Sequence, residues 1–375
     1  MIPQGYKHTE LGIIPQEWEV KRLVDCFDIS AGRDLIKDCF SEVRTTIFKY
    51  PIFSNSLEDK GLYGYTSKPR HKAGSVTITG RGALGVAEYR EEDFDAIVRL
   101  LVLSPKIEIC GKLIAEYINY RKPFFFESTG VPQLTAPQIS KTMIPVPPVE
   151  EQRKIAEILG VWDKAIELQA RLVDKLELRK RALMQRLLTG RLRLPGFSDP
   201  WQKVHLSQIA RLTKGVQYNK ILLQETGLYP VINGGITPSG YTDKYNAEAN
   251  TITISEGGNS CGYINYISTR FWCGGHCYVV KEKERVDKIY LYYLLKYHEP
   301  MIKQLRVGSG LPNIQIRPLQ KYKLQIHSLA EQTAIAEVLS TADKEIEIAK
   351  AKLAAHRTQK RGLMQQLLTG KKRIN

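Results

Sequence analysis

The sequence predicts an α+β protein: two mixed α/β domains separated by two long helices that form an antiparallel coiled coil, in a tandem, pseudo-two-fold repeat. Two observations carry this. The segment EEQRKIAEILGVWDKAIEL from Glu150 returns as AEQTAIAEVLSTADKEIEI from Ala330, and KRALMQRLLTG from Lys180 returns as KRGLMQQLLTG from Lys360. Between these copies, short apolar runs alternate with Gly- and Asn-rich turns, the signature of strands and loops.

Roughly half of the aligned positions in the two long segments are identical, at a spacing near 180 residues. The stretches before them are related more loosely. Trp18, Leu23 and Gly32 match Trp201, Leu206 and Gly215; YPIFSNS from Tyr50 matches YPVINGG from Tyr229; STGVPQL from Ser128 matches GSGLPNI from Gly308. The expected division is therefore 1–149, a first globular half; 150–190, a long helix; 191–327, a linker and second half; and 328–375, a second long helix. Two copies that keep a frame and diverge in detail suggest two sites with different ligands.

A 4-3-4-3 spacing of apolar residues is the seam of a coiled coil. It gives Ile155, Leu159, Trp162, Ile166, Leu176, Leu183 and Leu187 in the first helix, and Ile335, Leu339, Ile346, Leu353, Leu363 and Leu367 in the second. Pro147-Pro148 suits the first start, Ser328 with Glu331 reads as a capping box at the second, and Thr-Gly at Gly190 and Gly370 stops both. Forty helical residues span about 60 Å. A following domain of about 130 residues, with a radius of gyration near 14 Å and adjacent termini, returns the chain close to where it left. The second helix then starts beside the end of the first, so the pair is expected to be antiparallel, with one globular half at each end.

In the globular halves, Val76–Thr79, Ile97–Leu103, Ile252–Ser255 and Tyr278–Val280 read as strands, and Lys112–Tyr120 and Asp287–Tyr297 as helices. The 375 residues carry a net charge of +16, with 43% hydrophobic and 25% charged side chains. Such a balance suits a globular protein with a polyanionic partner, nucleic acid first. No run approaches the 18 apolar residues of a spanning helix, the N-terminus lacks a leader pattern, and six cysteines are too few for a disulfide scaffold. A cytoplasmic protein without a membrane partner is expected.

Motifs for chemistry are weak. Gly80-Arg-Gly82-Ala-Leu-Gly85 spells the dinucleotide fingerprint, but no helical apolar face follows it. Cys261, Cys273, His276 and Cys277 are zinc-type ligands, yet His276 and Cys277 are adjacent and the first half has no counterpart, so buried thiols are expected and no metal. Donor-rich predicted loops stand out instead: Arg33, Lys68, Arg70, Lys72 and Arg81 in the first half; Lys214, Gln217, Tyr218, Asn219, Lys220, Asn233, Lys244, Asn259, Arg270, Asn313 and Arg317 in the second. Arg and Lys suit phosphates and guanine edges, Asn and Gln adenine edges. A DNA-modifying enzyme and a coiled-coil scaffold both stay open at this point. The first lacks its motifs; the second leaves the charge and the donors unused.

The whole chain resembles the specificity subunits of type I restriction-modification systems. The residues that carry the resemblance are Thr9-Glu-Leu-Gly-Ile-Ile-Pro-Gln-Glu-Trp18, the run IPVPPVEEQRKIAEIL into Leu159, both LLTG helix ends, and Leu194-Pro-Gly-Phe197 ahead of Trp201. The resemblance implies a non-catalytic DNA-recognition subunit with two target-recognition domains and a bipartite, asymmetric duplex target. It implies two modification (methyltransferase) subunits that bind S-adenosylmethionine, and motor-nuclease restriction subunits that use ATP and magnesium, with no cofactor on this chain.

Overall fold

In the computed structural model, the residues described are 2–124, 132–308, 310 and 312–374. Ser128 to Val131, Ser309 and Leu311, from the matched STGVPQL and GSGLPNI segments, lie outside them. Contacts divide the chain into two compact units, Met1–Ala170 with Ala351–Asn375, and Arg171–Lys350. Each holds one globular half and one end of both long helices.

In the first unit, an antiparallel sheet runs Phe27–Ala31, Leu101–Pro105, Val76–Ile78, Ala87–Tyr89. A second sheet contains Tyr50–Phe53, paired in parallel with Asp95–Ala96. The second unit repeats the plan: Ala210–Lys214, Cys277–Glu282, Thr251–Ser255, Ile264–Ile267, with Tyr229–Ile232 parallel to Trp272–Cys273. Apolar runs such as Ile252 and Ile254 are buried, and the helices Gly111–Arg121 and Lys288–Ile302 join the same cores. The expected strand at Ile97–Leu103 is shorter. It begins at Leu101, because Val98 and Arg99 adopt left-handed φ of 52° and 59° and turn the chain.

The long helices run Val149–Leu188 and Leu329–Leu367. Gly190 and Gly370 follow them with φ of 69° and 68°, the left-handed stop that only glycine takes without strain. Seam residues Ile155, Leu159, Leu187, Ile335, Leu339, Ile346 and Leu367 are buried; Trp162, Ile166, Leu176, Leu183, Leu353 and Leu363 are half-buried.

Each unit by itself contains an antiparallel helix pair. In the first, Ile155 and Leu159 share a core with Leu367 and Leu368, Trp162 meets His356 edge-on at 5.7 Å, and Lys360 Nζ donates to Asp163 at 2.6 Å. In the second, Leu187 and Leu188 pack with Ile335 and Leu339, Lys180 donates to Asp343, and Lys350 pairs with Glu177 at 2.6 Å.

The start of each long helix is a polar socket. Glu151 accepts from Trp18 Nε1 at 2.9 Å and from Arg373 at 2.8 Å. Glu331 accepts two bonds from Arg193 at 2.7 Å. The next residue repeats the device. Gln152 accepts from the Cys110 amide at 2.8 Å and donates to the Pro147 carbonyl at 2.7 Å; Gln332 accepts from Asp287 at 3.0 Å and donates to His327 at 2.8 Å. The expected capping box is therefore not formed. Arg193 draws Glu331 away from the helix start, and the Ser328 hydroxyl is left without a partner among the described residues.

Each glutamine amide is 1% exposed, so truncation strands buried donors and acceptors. Gln152→Ala and Gln332→Ala are each expected to cost roughly 1–3 kcal/mol. A urea midpoint equal to the parent's would contradict the socket. A pH effect follows from Glu116, which bonds Lys360 at 2.9 Å. Burial, with Asp163 alongside, pushes its carboxyl up to about 7. The folded chain then holds this proton more tightly than the unfolded one, so Glu116 lowers stability as pH rises from about 4.5 to about 7. Glu116→Gln is expected to remove that slope from melts recorded across the range.

Candidate nucleic-acid interface

In the first unit, four backbone turns converge beside the Leu101 strand. Gly32 sits where a Cβ would lie 2.8 Å from the Ala96 carbonyl, so the turn carrying Arg33 packs directly on the 96–100 loop. Val98 N donates to Arg33 O at 3.2 Å and Arg99 N to Gly32 O at 3.1 Å. Asn55 ties in two more segments: its Nδ2 donates to Val98 O at 2.7 Å, and its Oδ1 accepts from Gly80 N at 2.7 Å. Arg33, Arg81 and Arg99 project from these joined turns. All three are exposed, and their guanidinium groups have no ion pair among the described residues. The Gly80–Gly85 loop leads into the strand Ala87–Tyr89, as a turn and not as the start of a nucleotide-binding helix.

The cations of the 68–72 segment differ. Lys68 is exposed and unpaired among the described residues. Arg70 is spent inside the domain: it grips Asp95, which is 2% exposed, through bonds of 2.5 and 2.8 Å. Lys72 pairs at the surface with Asp93 at 2.9 Å.

In the second unit, Lys214 bonds Glu256 at 2.7 Å, and Tyr278 Oη donates to the same carboxylate at 2.8 Å. Gly275 lies where a Cβ would meet Gln217 Oε1 at 2.9 Å, and Asn233 Oδ1 accepts from His276 N at 3.2 Å. Asn313 forms a backbone bridge with Gly257. Lys214, Gln217, Asn233, Asn313 and the uncounted Glu256 and His276 thus belong to one cluster of loops, with the exposed Asn259 on its Gly-rich turn. Tyr218 and Lys220 border it, lining one cavity with Asn233. Tyr218 bonds Thr242 at 2.7 Å, Asn219 caps the turn at Ile221, and Arg270 pairs with Glu248 at 3.0 Å. Lys220, Lys244 and Arg317 are exposed, with no side-chain partner among the described residues. Cys261, Cys273 and Cys277 are buried free thiols, whereas His276 is exposed.

Sequence reasoning missed Arg99 and His276. A charge within the apolar run Ala96 to Leu103 marked the first, because a central strand rarely carries one. His276 was weighed only as a metal ligand, although two glycines before it marked a turn.

The comparisons with known proteins match this arrangement. The family model for the type I restriction modification DNA specificity domain fits twice, over residues 15–178 and 198–355. The chain belongs to the type I restriction-modification specificity family. It is a DNA target-recognition subunit that works with methyltransferase and restriction subunits, and is itself the non-catalytic specificity component. A protein of Methanocaldococcus jannaschii, provisionally named the MjaX type I restriction enzyme specificity subunit, is 25% identical over 420 residues, spanning 99% of this chain and 97% of its own. The MjaVIII specificity subunit of the same organism is 23% identical, spanning 96% and 94%. The crystal structure of a type I restriction-modification S subunit from M. genitalium shares the fold, with a TM-score of 0.72 at 19% identity over 94% of this chain and 96% of that one. Among the described residues of the specificity subunit, no helix is long and apolar enough to cross a membrane.

The pairing pattern separates structural cations from free ones. Arg70→Ala leaves Asp95 buried without its partner and is expected to cost roughly 3–5 kcal/mol of stability. Lys68→Ala should leave stability within about 0.5 kcal/mol and take about one from the slope of log affinity against log salt. Equal melting of the two variants would refute this division.

Proposed function

We propose that each globular half reads its own half of the target, and that the free donors of the two loop clusters are what touches DNA. The observation carrying this is that one backbone plan holds different chemistry at equivalent turns. Gly32 is followed by Arg33-Asp34, Gly215 by Val216-Gln217; three unpaired arginines stand on the first plan, while amides, Lys214 and His276 stand on the second. A shared frame with changed side chains gives two readers for unlike sequences, and an asymmetric target needs two unlike readers. The charge of +16 supplies the sequence-independent attraction to phosphate.

The doubled helix and socket support a partner count of two modification subunits, each docking on one copy of the repeated surface. Methyl transfer from S-adenosylmethionine, and ATP- and magnesium-driven translocation and cleavage, then belong to the modification and motor-nuclease subunits, in the cytoplasm. Arg33, Arg81 and Asn259 on the clusters are contact candidates, and Lys68, Lys220, Lys244 and Arg317, exposed and unpaired among the described residues, are additional candidates for phosphate. Arg70 is a framework residue on this reading, and Asn219 holds its own loop.

Replacing residues 198–329 with the corresponding half of another family member is the test. Methylation mapped in cells with the partner subunits should show one half-site changed and the other kept. Simultaneous change of both would mean the halves do not read independently. The purified chain alone, given labelled S-adenosylmethionine and target duplex, should transfer no methyl group.

A further inference from the structure

We propose that Arg99 and His276 are base-reading side chains of the two halves, and that Asn55 and Asn233 are positioning residues that hold them out. This rests on the reading that each half binds its own half-site. The two residues occupy one place in the shared plan: the loop between the short strand of the parallel pair and the long strand of the main sheet, at 97–100 in the first half and 274–276 in the second.

The first loop is built at a cost that chain reversal alone does not require. A turn with two successive residues at positive φ ordinarily takes Gly, Asn or Asp; this one carries Val98 at 52° and Arg99 at 59°. A β-branched residue there is strained, and the surroundings over-determine the conformation. Val98 is bonded at both its amide and its carbonyl, Arg99 N bonds Gly32 O, and Leu100 N bonds Ile97 O at 3.1 Å. Gly80 completes the brace, since a Cβ on it would lie 3.0 Å from Arg99 O. The fixed backbone leaves one long side chain exposed. A guanidinium on a rigid stalk suits bidentate recognition of guanine O6 and N7.

The second half reaches the same end differently. A Cβ on Gly274 would lie 2.4 Å from Asn233 Oδ1, and one on Gly275 would meet Gln217, so both amide side chains pack on bare backbone. Asn233 accepts the His276 amide, and Glu256 N donates to His276 O at 2.9 Å. His276 is the first side chain to leave the loop, and its ring is 62% exposed. The asparagines come from adjacent positions of the same turn, YPIFSNS and YPVINGG, and each fastens the loop in front of it. Asn233, expected from sequence as a DNA-binding residue, has its acceptor occupied in doing so.

The experiment uses the full complex with its partners on a panel of duplexes carrying every single-base change in the target. Arg99→Gln should lower discrimination about 10- to 100-fold at one base pair of one half-site. Arg99→Lys should keep affinity and lose that discrimination. His276→Ala should act at one position of the opposite half-site. Asn55→Ala should relax the same base pair as the Arg99 variants and leave the opposite half-site, read in the same molecule, unchanged. Asn55→Asp keeps the acceptor for Gly80 and loses the donor for Val98, so it should behave likewise. Parent-like preference at every base in both Arg99 variants overturns the proposal, as does a loss uniform over all sequences, which would make Arg99 a phosphate contact. If an Asn55 variant does not fold, the exposed Arg99 and His276 variants decide. The half-swap result stands apart: one half-site moving there while Arg99 variants stay parent-like refutes these readers and keeps the two-half reading.

Discussion

Glu151 and Glu331 are carboxylates at the heads of the two long helices, 5% and 1% exposed. A carboxylate stays in such a place only against matched donors, and each is met by an arginine arriving just beyond the end of the other helix: Arg373 for Glu151, Arg193 for Glu331. Head-to-tail pairing of this kind is compatible only with antiparallel helices. It also brings each globular half onto the helix ends, since Trp18 bonds Glu151 while Trp201 lies 4.0 Å from His327 at the second socket. The glutamines at 152 and 332 then take up the amide at the start of the domain helix, Cys110 or Asp287. Four side chains, a glutamate, an arginine, a tryptophan and a glutamine, repeated once, orient helices and domain.

That framework explains why the long segments stayed alike and the loops did not. A socket residue has several partners at once, so a change in any one strands a buried charge or amide. The Arg33, Arg81 and Arg99 turns meet no such demand at their tips; only their backbones are tied. Chemistry at the tip can vary while Gly32, Asn55 and Gly80 keep the frame. Readout and rigidity are thereby carried by different atoms of the same loops.

Paired and unpaired cations have different physical standing within one short segment. Arg70 and Lys68 are two residues apart and equally basic in sequence, yet Asp95 claims one and water the other. Arg70 stabilises the junction of the parallel strands, so its loss acts through folding. Lys68 has nothing to release but solvent and counterions.

The sequence by itself determined the repeat, the two long helices with their seams and stops, the mixed α/β character of each half, and the family's role in DNA recognition. The repeat, the helices and the mixed character rest on periodicity, internal identity and local glycine geometry, which neighbours in the chain carry; the role in DNA recognition rests on the resemblance to known specificity subunits. What only the tertiary structure decided were the partners of polar groups. Glu331 reads locally as a cap for the Ser328 backbone N–H, but an arginine 138 residues away binds its carboxylate better than that N–H can. Ile97 to Leu103 reads locally as a strand, but bonds from Asn55 and Gly32 bend it at Val98 and expose Arg99. Asn233 reads locally as a DNA contact, but its oxygen accepts the His276 backbone amide. A charge or an amide is satisfied by whatever comes within about 3 Å, and that is set by the packing of distant segments, not by the residues beside it.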